Sequence, residues 1–335
     1  MKRIAIFLLA TLGSAASVAH HATTVAYDVN NLGTIEGDVV EVFWKNPHVV
    51  LTIERVSESG ARETWTAESG SPNSLLRAGY DSSVVSVGDH VTLLGALSRQ
   101  GLPAMAAYTM TLADGTEIPL WPQRAISIGR DVPPAPFSSA AVAADEREAH
   151  SIFRVWSLPQ VNFTVDATLT DFARSARAGW DPLVDDPALK CEPPGMPAMM
   201  DGPYPIQFID QGDTILVRLE EWDASRTIHM QPDTDTSKEP PSHYGYSTGH
   251  WEGDTLVVRT TRVSAPYFDD LGTPFSPDAV IIERMTLSED QTRMEYEATV
   301  TDPRILVGAA TLRGSFVWVP GDRIKPFNCS LREGG

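Results

Sequence analysis

A series of short strand-like runs between residues 203 and 329 constrains the fold of this chain more than any other feature of its sequence. Pro205 to Asp210 and Thr214 to Glu221 flank the turn Gln211-Gly212-Asp213, and Thr255 to Arg262 follows the turn Glu252-Gly253-Asp254. Such runs, bounded by Gly and Asp, are typical of strands joined by hairpins. Since no helical period of useful length interrupts the series, the pattern predicts a closed antiparallel barrel or a sandwich. A barrel of about eight strands can enclose one small ligand.

Residues 33–118 show a second β pattern with one short helix inside it. Ser71 followed by Pro72 is typical of a helix start, since serine caps the first turn and proline fits the first helical position. The strand-like runs on either side are Thr34 to Trp44, His48 to Arg55, Glu63 to Glu68, Val91 to Leu97 and Met105 to Leu112. Three strands, a helix and two strands is the order of an OB-fold. The sequence therefore predicts an all-β protein whose N-terminal barrel is OB-fold-like, with another small β-barrel as the alternative.

The first nineteen residues have the composition of an export signal. Lys2 and Arg3 form a basic start, Ile4 to Leu12 is an apolar run, and Ser17 and Ala19 supply the small side chains that signal peptidase requires. The apolar run is too short to cross a bilayer, which takes about 20 residues, and no later apolar run is long enough either. The sequence thus predicts a periplasmic or secreted protein that begins at His20, with no membrane span; an uncleaved anchor is the alternative.

The formal charge of −18 limits the classes of partner. Cleavage after Ala19 removes two of the basic residues and makes the mature chain more acidic still. Nucleic-acid binding needs clustered Lys and Arg to meet phosphates, and no such cluster is present, so nucleic acid is not expected as a partner. Anionic membrane surfaces are disfavoured for the same reason.

Two cysteines, Cys191 and Cys329, are the only ones in the chain. In an oxidising compartment a lone pair usually forms one disulfide, whereas free thiols or metal ligands are the alternative.

Pro133-Pro134-Ala135-Pro136 has the composition of a linker. These features divide the chain into a signal peptide at 1–19, an OB-fold-like domain at 20–120, a linker and packed connecting segment at 121–200, and a β-barrel domain at 201–335.

The N-terminal part resembles the DUF6152 family of exported bacterial proteins. The matching pieces are His20-His21, Gly37 to Trp44, Asn46-Pro47-His48, Ser71-Pro72-Asn73, Arg77-Ala78-Gly79 and Gly88-Asp89. Residues 150–329 resemble an uncharacterised exported bacterial family, most specifically in Gly245-Tyr246-Ser247 and in Trp251-Glu252-Gly253-Asp254-Thr255-Leu256-Val257-Val258. The second resemblance implies a lipocalin-like β-barrel, and neither resemblance implies an established activity.

The expected mature N-terminus is a candidate copper site. A free α-amine and an imidazole nitrogen of His20 can chelate one ion together, and a second histidine can complete a T-shaped set of nitrogens that suits Cu(II). His21 or His48 is the candidate partner, since His48 follows a tight Asn-Pro turn. The cofactor is therefore unknown from the sequence, with copper as the candidate. A solvated chain end and a packed His48 are the alternative.

The predicted C-terminal barrel offers candidate catalytic residues, namely Ser247, His250, Glu283 and Arg284. Residues 245–249 match a nucleophile elbow by letters, but an elbow leads into a helix, whereas a strand-like run follows here. A serine and a histidine three positions apart also lack a known third member of a triad.

A second group of residues in the same region is expected to bind a ligand, namely Tyr244, Trp251, Trp222 and Glu220. Trp251 is expected to plug the barrel. One of the adjacent carboxylates Glu220 and Glu221 is expected inside the barrel, in a structural ion pair with Arg226 or Arg284. General acid–base use is the alternative. The leading hypothesis is a binding protein that holds a small, largely apolar molecule in the barrel. A hydrolase or isomerase acting on a small lipophilic substrate and a periplasmic copper-handling protein are the alternatives, and the partner protein, if any, is unknown.

Overall fold

The computed structural model describes residues 23–57, 59–148, 151–158, 164–182, 184–269 and 271–332. The predicted signal peptide, His20 and His21 lie outside these ranges. The described chain is mostly β-structure and forms two sheets, of six and ten strands. The all-β prediction is confirmed. None of the helices in the described ranges is both long and apolar enough to span a bilayer.

The six-stranded sheet is an OB-fold-like barrel. Its strands are β1 Tyr27–Trp44, β2 Val49–Val56, β3 Arg62–Glu68, β4 His90–Ser98, β5 Ala104–Leu112 and β6 Glu117–Ile118. The long strand β1 pairs with β4 through its first half and with β2 through its second half. A parallel pairing of β3 with β5 closes the ring in the order β1-β2-β3-β5-β4. Gly95 is required in β4, because a Cβ atom there would lie 1.9 Å from the carbonyl oxygen of Ala106.

Five α-helices accompany the two sheets in the part of the chain that the structure describes. They are α1 Thr23–Ala26, α2 Pro72–Arg77, α3 Pro122–Ser127, α4 Ser139–Glu148 and α5 Asp171–Ala178. Helix α2 lies between β3 and β4, and Ser71 caps it by accepting a 3.0 Å hydrogen bond from the amide of Ser74. The cap and the following Pro72 are the start signal that the sequence predicts for this helix.

The ten-stranded sheet contains a closed barrel of nine strands. Its strands are β7 Val155–Ser157, β8 Thr164–Asp166, β9 Ile206–Asp210, β10 Thr214–Leu219, β11 Ser225–His229, β12 Tyr246–Glu252, β13 Thr255–Thr261, β14 Val280–Leu287, β15 Arg293–Thr301 and β16 Ala309–Trp318. Pairing of β15 with β16 closes the ring, and β8 adds to β16 outside it. The barrel has one strand more than the expected eight, and β11 pairs with β12 in parallel.

The extra strands come from the predicted connecting segment. Strand β7 pairs with β9 and β16 and completes the ring, although it lies before residue 201. Its sequence is only three residues long, which is too short for a period-two pattern to be recognised. The disulfide prediction is confirmed, since Cys191 is bonded to Cys329 with 5.9 Å between their Cα atoms.

Candidate functional site

The inside of the C-terminal barrel is filled by packed side chains and one buried ion pair. Arg226 on β11 donates two hydrogen bonds of 2.7 Å to the two carboxylate oxygens of Glu283 on β14. The side chains of this pair are 2% and 0% exposed. Tyr296 donates a 2.9 Å hydrogen bond to the same carboxylate, and burial raises the pKa of its hydroxyl well above the usual value. The interior therefore contains a neutralised Arg-Glu pair within an apolar core.

The four candidate catalytic residues do not share one face of the barrel. Ser247 is buried and its hydroxyl lies 2.8 Å from that of Thr260. His250 lies on the outside, where Glu252 contacts it at 3.2 Å and accepts a 2.8 Å hydrogen bond from Arg284. Successive strand residues point to opposite faces, so residues three apart, such as Ser247 and His250, diverge. Glu283 and Arg284 diverge for the same reason, and the structure does not bring the four together.

Two of the expected ligand-binding residues lie at the barrel ends. The indole of Trp251 is 43% exposed and packs edge-on against Phe153, with 6.3 Å between the ring centroids. Tyr244 packs against the barrel core, and burial raises the pKa of its hydroxyl. Trp251 is therefore a partly exposed ring beside Phe153, and its expected role as a plug stays a prediction.

Glu220 and Trp222 lie at the junction between the two barrels instead. Glu220 is fully buried and receives two hydrogen bonds of 2.6 Å from Arg77 of helix α2. Trp222 packs on Phe327, with 5.3 Å between the ring centroids. The expected partners of Glu220, Arg226 and Arg284, are bonded elsewhere. A structural ion pair was predicted and is present, but its cation is Arg77 rather than Arg226 or Arg284. The prediction of the partner was wrong because Arg77 comes from the other domain.

The sequence reasoning missed the N-terminal half of this junction. Asn46, Asn73 and Arg77 belong to three separate motif pieces, and the structure brings them together against the C-terminal segment. Their presence in three specific motif pieces was the signal that could have pointed to a shared site. Their partners lie more than 140 positions away in the chain, so the sequence offered no means to identify them.

His48 lies partly buried in the N-terminal barrel, just before strand β2. Its Nδ1 atom donates a 2.8 Å hydrogen bond to the carbonyl oxygen of Ser69, and its Nε2 atom lies 3.5 Å from a carboxylate oxygen of Glu68. Tyr27 donates a 3.1 Å hydrogen bond to the other oxygen of Glu68. Burial lowers the pKa of His48 to about 4, so the imidazole is neutral at pH 7. Within the described ranges, no three His, Cys, Asp or Glu side chains are grouped to hold a metal ion.

An apolar pocket with a basic rim lies on the outside of the C-terminal barrel. It has a volume of about 550 Å³ and is lined by Ala167, Thr168, Leu169, Arg174, Arg177 and Ala178. Helix α5 forms one wall, and Thr170 caps this helix by accepting a 3.2 Å hydrogen bond from the amide of Ala173. The other wall is fixed to the barrel domain, since the backbone of Leu169 forms an isolated antiparallel β-bridge with that of Leu306.

Exposed apolar side chains surround this pocket. Val165, Phe172 and Val307 are 53%, 48% and 61% exposed. The guanidinium of Arg304 lies over the ring of Phe172, 4.5 Å from its centroid. The amide of Val307 donates to the carbonyl oxygen of Thr168, so these residues form one continuous surface. Neighbouring exposed apolar residues with a polar rim are typical of binding surfaces.

Comparison with known proteins characterises the N-terminal part alone. Residues 8–105 match the model of DUF6152, a family of unknown function. This match covers less than half of the chain and supports the first of the two resemblances. No curated protein matches the chain. The resemblance of residues 150–329 to a second exported family stays a prediction.

Proposed function

We propose that this is an exported binding protein whose C-terminal barrel domain holds one small, largely apolar molecule that carries an anionic group. The pocket beside helix α5 is the observation on which this rests. Its volume of about 550 Å³ lies within the range of small-molecule sites, roughly 300–1,000 Å³, and the pocket is shallow and open to solvent, lined by exposed and half-buried residues. The pocket lies on the outer wall of the barrel rather than in its interior, because packed side chains and the Arg226–Glu283 pair occupy the interior.

The chemistry of the rim supports an anionic head group. Arg174 is held by the carbonyl oxygen of Leu169 and by the carboxylate of Asp171, so its charge is largely neutralised locally. Arg177 lines the same pocket. A guanidinium beside an apolar floor fits a carboxylate or sulfate joined to an alkyl chain, because Arg pairs with such groups through two parallel hydrogen bonds.

Titration of the purified mature protein with a fluorescent long-chain fatty acid tests this proposal. We expect saturable binding with one molecule per chain. Arg177→Ala should weaken binding about tenfold, which corresponds to one charge-assisted hydrogen bond. Arg259→Ala is the matched control, since Arg259 is exposed on the outside of the same barrel.

Two further variants separate the pocket from the barrel end. Ala178→Glu places a carboxylate at the exposed end of helix α5 and should abolish binding of the fatty acid, whereas the neutral Ala178→Gln should retain most of it. Trp251→Ala should leave the affinity unchanged. Loss of binding in Trp251→Ala, with wild-type affinity in Arg177→Ala and Ala178→Glu, would move the site to the end of the barrel and contradict the proposal.

We also propose copper binding at the mature N-terminus as a second candidate function. The observation in its favour is that Tyr27, seven positions after His20, and His48 contact the same carboxylate, that of Glu68. Because Nδ1 of His48 donates to Ser69, the Nε2 atom of the neutral imidazole carries the lone pair that a metal ion requires. Tyr27 and a neutral His48 therefore lie at one carboxylate, which is the part of the proposed site that the described residues support.

Copper titration of the mature protein with an exact His20 start tests this second candidate. One added residue before His20 should abolish tight Cu(II) binding, because the α-amine moves away from the imidazole. His48→Gln should weaken binding and change the electron paramagnetic resonance signal of the bound ion. Unchanged affinity in the extended protein would exclude the amine as a ligand.

A further inference from the structure

The C-terminal strap, residues 321–332, lies between the two barrels and contacts both. On the N-terminal side its main chain is bound by the three motif residues. The Nδ2 atom of Asn46 donates to the carbonyl oxygen of Phe327, and the Nδ2 atom of Asn73 donates to that of Pro326 at 3.2 Å. Arg77 donates to the carbonyl oxygen of Arg323 at 3.0 Å. Contacts to main-chain carbonyl groups tolerate many side chains, as in modes of peptide recognition that rely on the backbone.

The C-terminal barrel holds the opposite side of the strap. Glu220 accepts a 2.8 Å hydrogen bond from the amide of Lys325, and Asp223 accepts 2.8 Å hydrogen bonds from the amides of Phe327 and Asn328. Donors from one domain and acceptors from the other therefore satisfy the backbone of the strap on its two sides. This arrangement forms a cleft that is complementary to an extended chain.

Two strap side chains are buried in the cleft. Asp322 is 2% exposed, and both of its carboxylate oxygens accept 3.0 Å hydrogen bonds from Nε of Arg77. Phe327 is 1% exposed, and its ring lies edge-on to that of Tyr204 at 5.2 Å and packs on Trp222. The cleft thus has a basic subsite and an aromatic subsite, separated by five positions of the bound chain.

We propose that the cleft between the two domains is a peptide-binding site, which takes an extended chain with an aspartate five positions before a phenylalanine, and that the strap is its intramolecular occupant. The motif residues Asn46, Asn73 and Arg77 would donate hydrogen bonds to the main chain of the bound peptide. The disulfide between Cys191 and Cys329 keeps the strap in place while it is oxidised. A second chain of the same chemistry would occupy the cleft once the strap has left.

The test begins with the full-length mature chain, so that folding takes place with the strap present. Cys191→Ser and Cys329→Ser remove the covalent bond, and a protease recognition sequence inserted after Pro320 allows the strap to be cut after folding. Native mass spectrometry then measures whether the strap stays bound. We expect retention in this parent protein and in Ile324→Ala, the matched control, whose half-buried side chain occupies neither subsite. We expect release from Asp322→Ala, from Phe327→Ala and from Asn73→Ala.

A labelled peptide supplied to the cut Asp322→Ala protein tests binding in trans. The peptide with the natural sequence of residues 321–332, with serine at 329, should bind one to one. The same peptide with Asp322→Ala should bind at least tenfold more weakly. Circular dichroism of the cut protein checks that both barrels remain folded. If they unfold, hydrogen exchange in the uncut protein replaces the binding assay, and Asn73→Ala should then accelerate exchange at the amides of residues 325–328.

Three results would overturn the proposal. The first is loss of the strap from the cut but folded parent protein. The second is equal binding of the natural and Asp322→Ala peptides, since the basic subsite would then not contribute to peptide affinity. The third is unchanged hydrogen exchange in Asn73→Ala.

Discussion

Removal of the guanidinium of Arg77 should destabilise the protein far more than removal of an ordinary surface arginine. Arg77 is 17% exposed and donates to Glu220 and Asp322, whose side chains are 0% and 2% exposed. Arg77→Ala therefore leaves the buried Glu220 without its guanidinium partner, and leaves Asp322 with only the ammonium group of Lys325, 3.5 Å away. Breaking one buried ion pair by removing one partner costs about 3–5 kcal/mol. We expect a loss of at least this size in the free energy of unfolding, which is a large share of a typical total of about 5–15 kcal/mol.

Urea unfolding followed by tryptophan fluorescence measures this loss. Arg313→Ala is the matched control, because Arg313 also pairs with a glutamate at 2.8 Å but is 57% exposed. Exposed pairs contribute roughly 0–1 kcal/mol, so this control should unfold almost like the wild type. The double variant Arg77→Ala with Glu220→Gln should recover part of the loss, since it removes one of the uncompensated charges.

The same variant should also uncouple the two barrels. Because Arg77 contacts Glu220, Asp322 and the strap from the N-terminal side, its removal weakens the contact between domains more than either core. We expect the single unfolding transition to broaden or divide into two. A loss no larger than that of Arg313→Ala, with one sharp transition, would refute the reasoning that the junction depends on this buried cation.

Three other variants test separate features of the fold. His48 should make stability depend on pH, because its pKa is about 4 in the folded protein and 6.5 in the unfolded chain. The free energy of unfolding should be complete above pH 6.5 and fall by about 3 kcal/mol as the pH drops to 4, since the unfolded chain then binds the proton more readily. Urea titrations at each pH measure this dependence, which His48→Gln should lack. Cys191→Ser with Cys329→Ser should lower the unfolding free energy by up to about 5 kcal/mol, because the disulfide closes a loop of 138 residues in the unfolded chain. A loss below about 1 kcal/mol by the same assay would contradict this loop-entropy reasoning. Tyr296→Phe should cost about 1.5–3 kcal/mol in thermal unfolding, because it removes a buried hydrogen bond to the charged Glu283; an unchanged melting temperature would contradict this.

The order of the elements in the N-terminal barrel followed from the sequence. The observed strands β2 to β5 and helix α2 lie close to the predicted runs, because alternation of apolar residues and turn residues such as Gly and Asp are local signals. Strand β1 begins at Tyr27 rather than Thr34. Its first residues are irregular, with a break in the register between Asp28 and Leu32, so the alternation that marks a strand is lost there.

The candidate sites depended more on the tertiary structure. Ser247 and His250 point to opposite faces of one strand because they are three positions apart, and this local rule could have been applied to the sequence. The partner of Glu220 could not be predicted in this way, because it comes from helix α2, 143 positions earlier in the chain. The pocket beside helix α5 is also a tertiary feature, since Leu169 is held to Leu306.

The longer strands, the turns, the OB-fold order of the N-terminal barrel and the pairing of the two cysteines follow from the amino-acid sequence alone. The strands, the turns and their order depend on residues that are neighbours in the chain. The pairing of Cys191 with Cys329 follows because the chain has no other cysteine. Three features depend on the folded chain: which charges meet, the closure of the barrel through the short strand β7, and the convergence of Asn46, Asn73 and Arg77 on the strap. These contacts join residues far apart in the chain, and their free energy depends on burial, which exists only once both barrels have folded and docked.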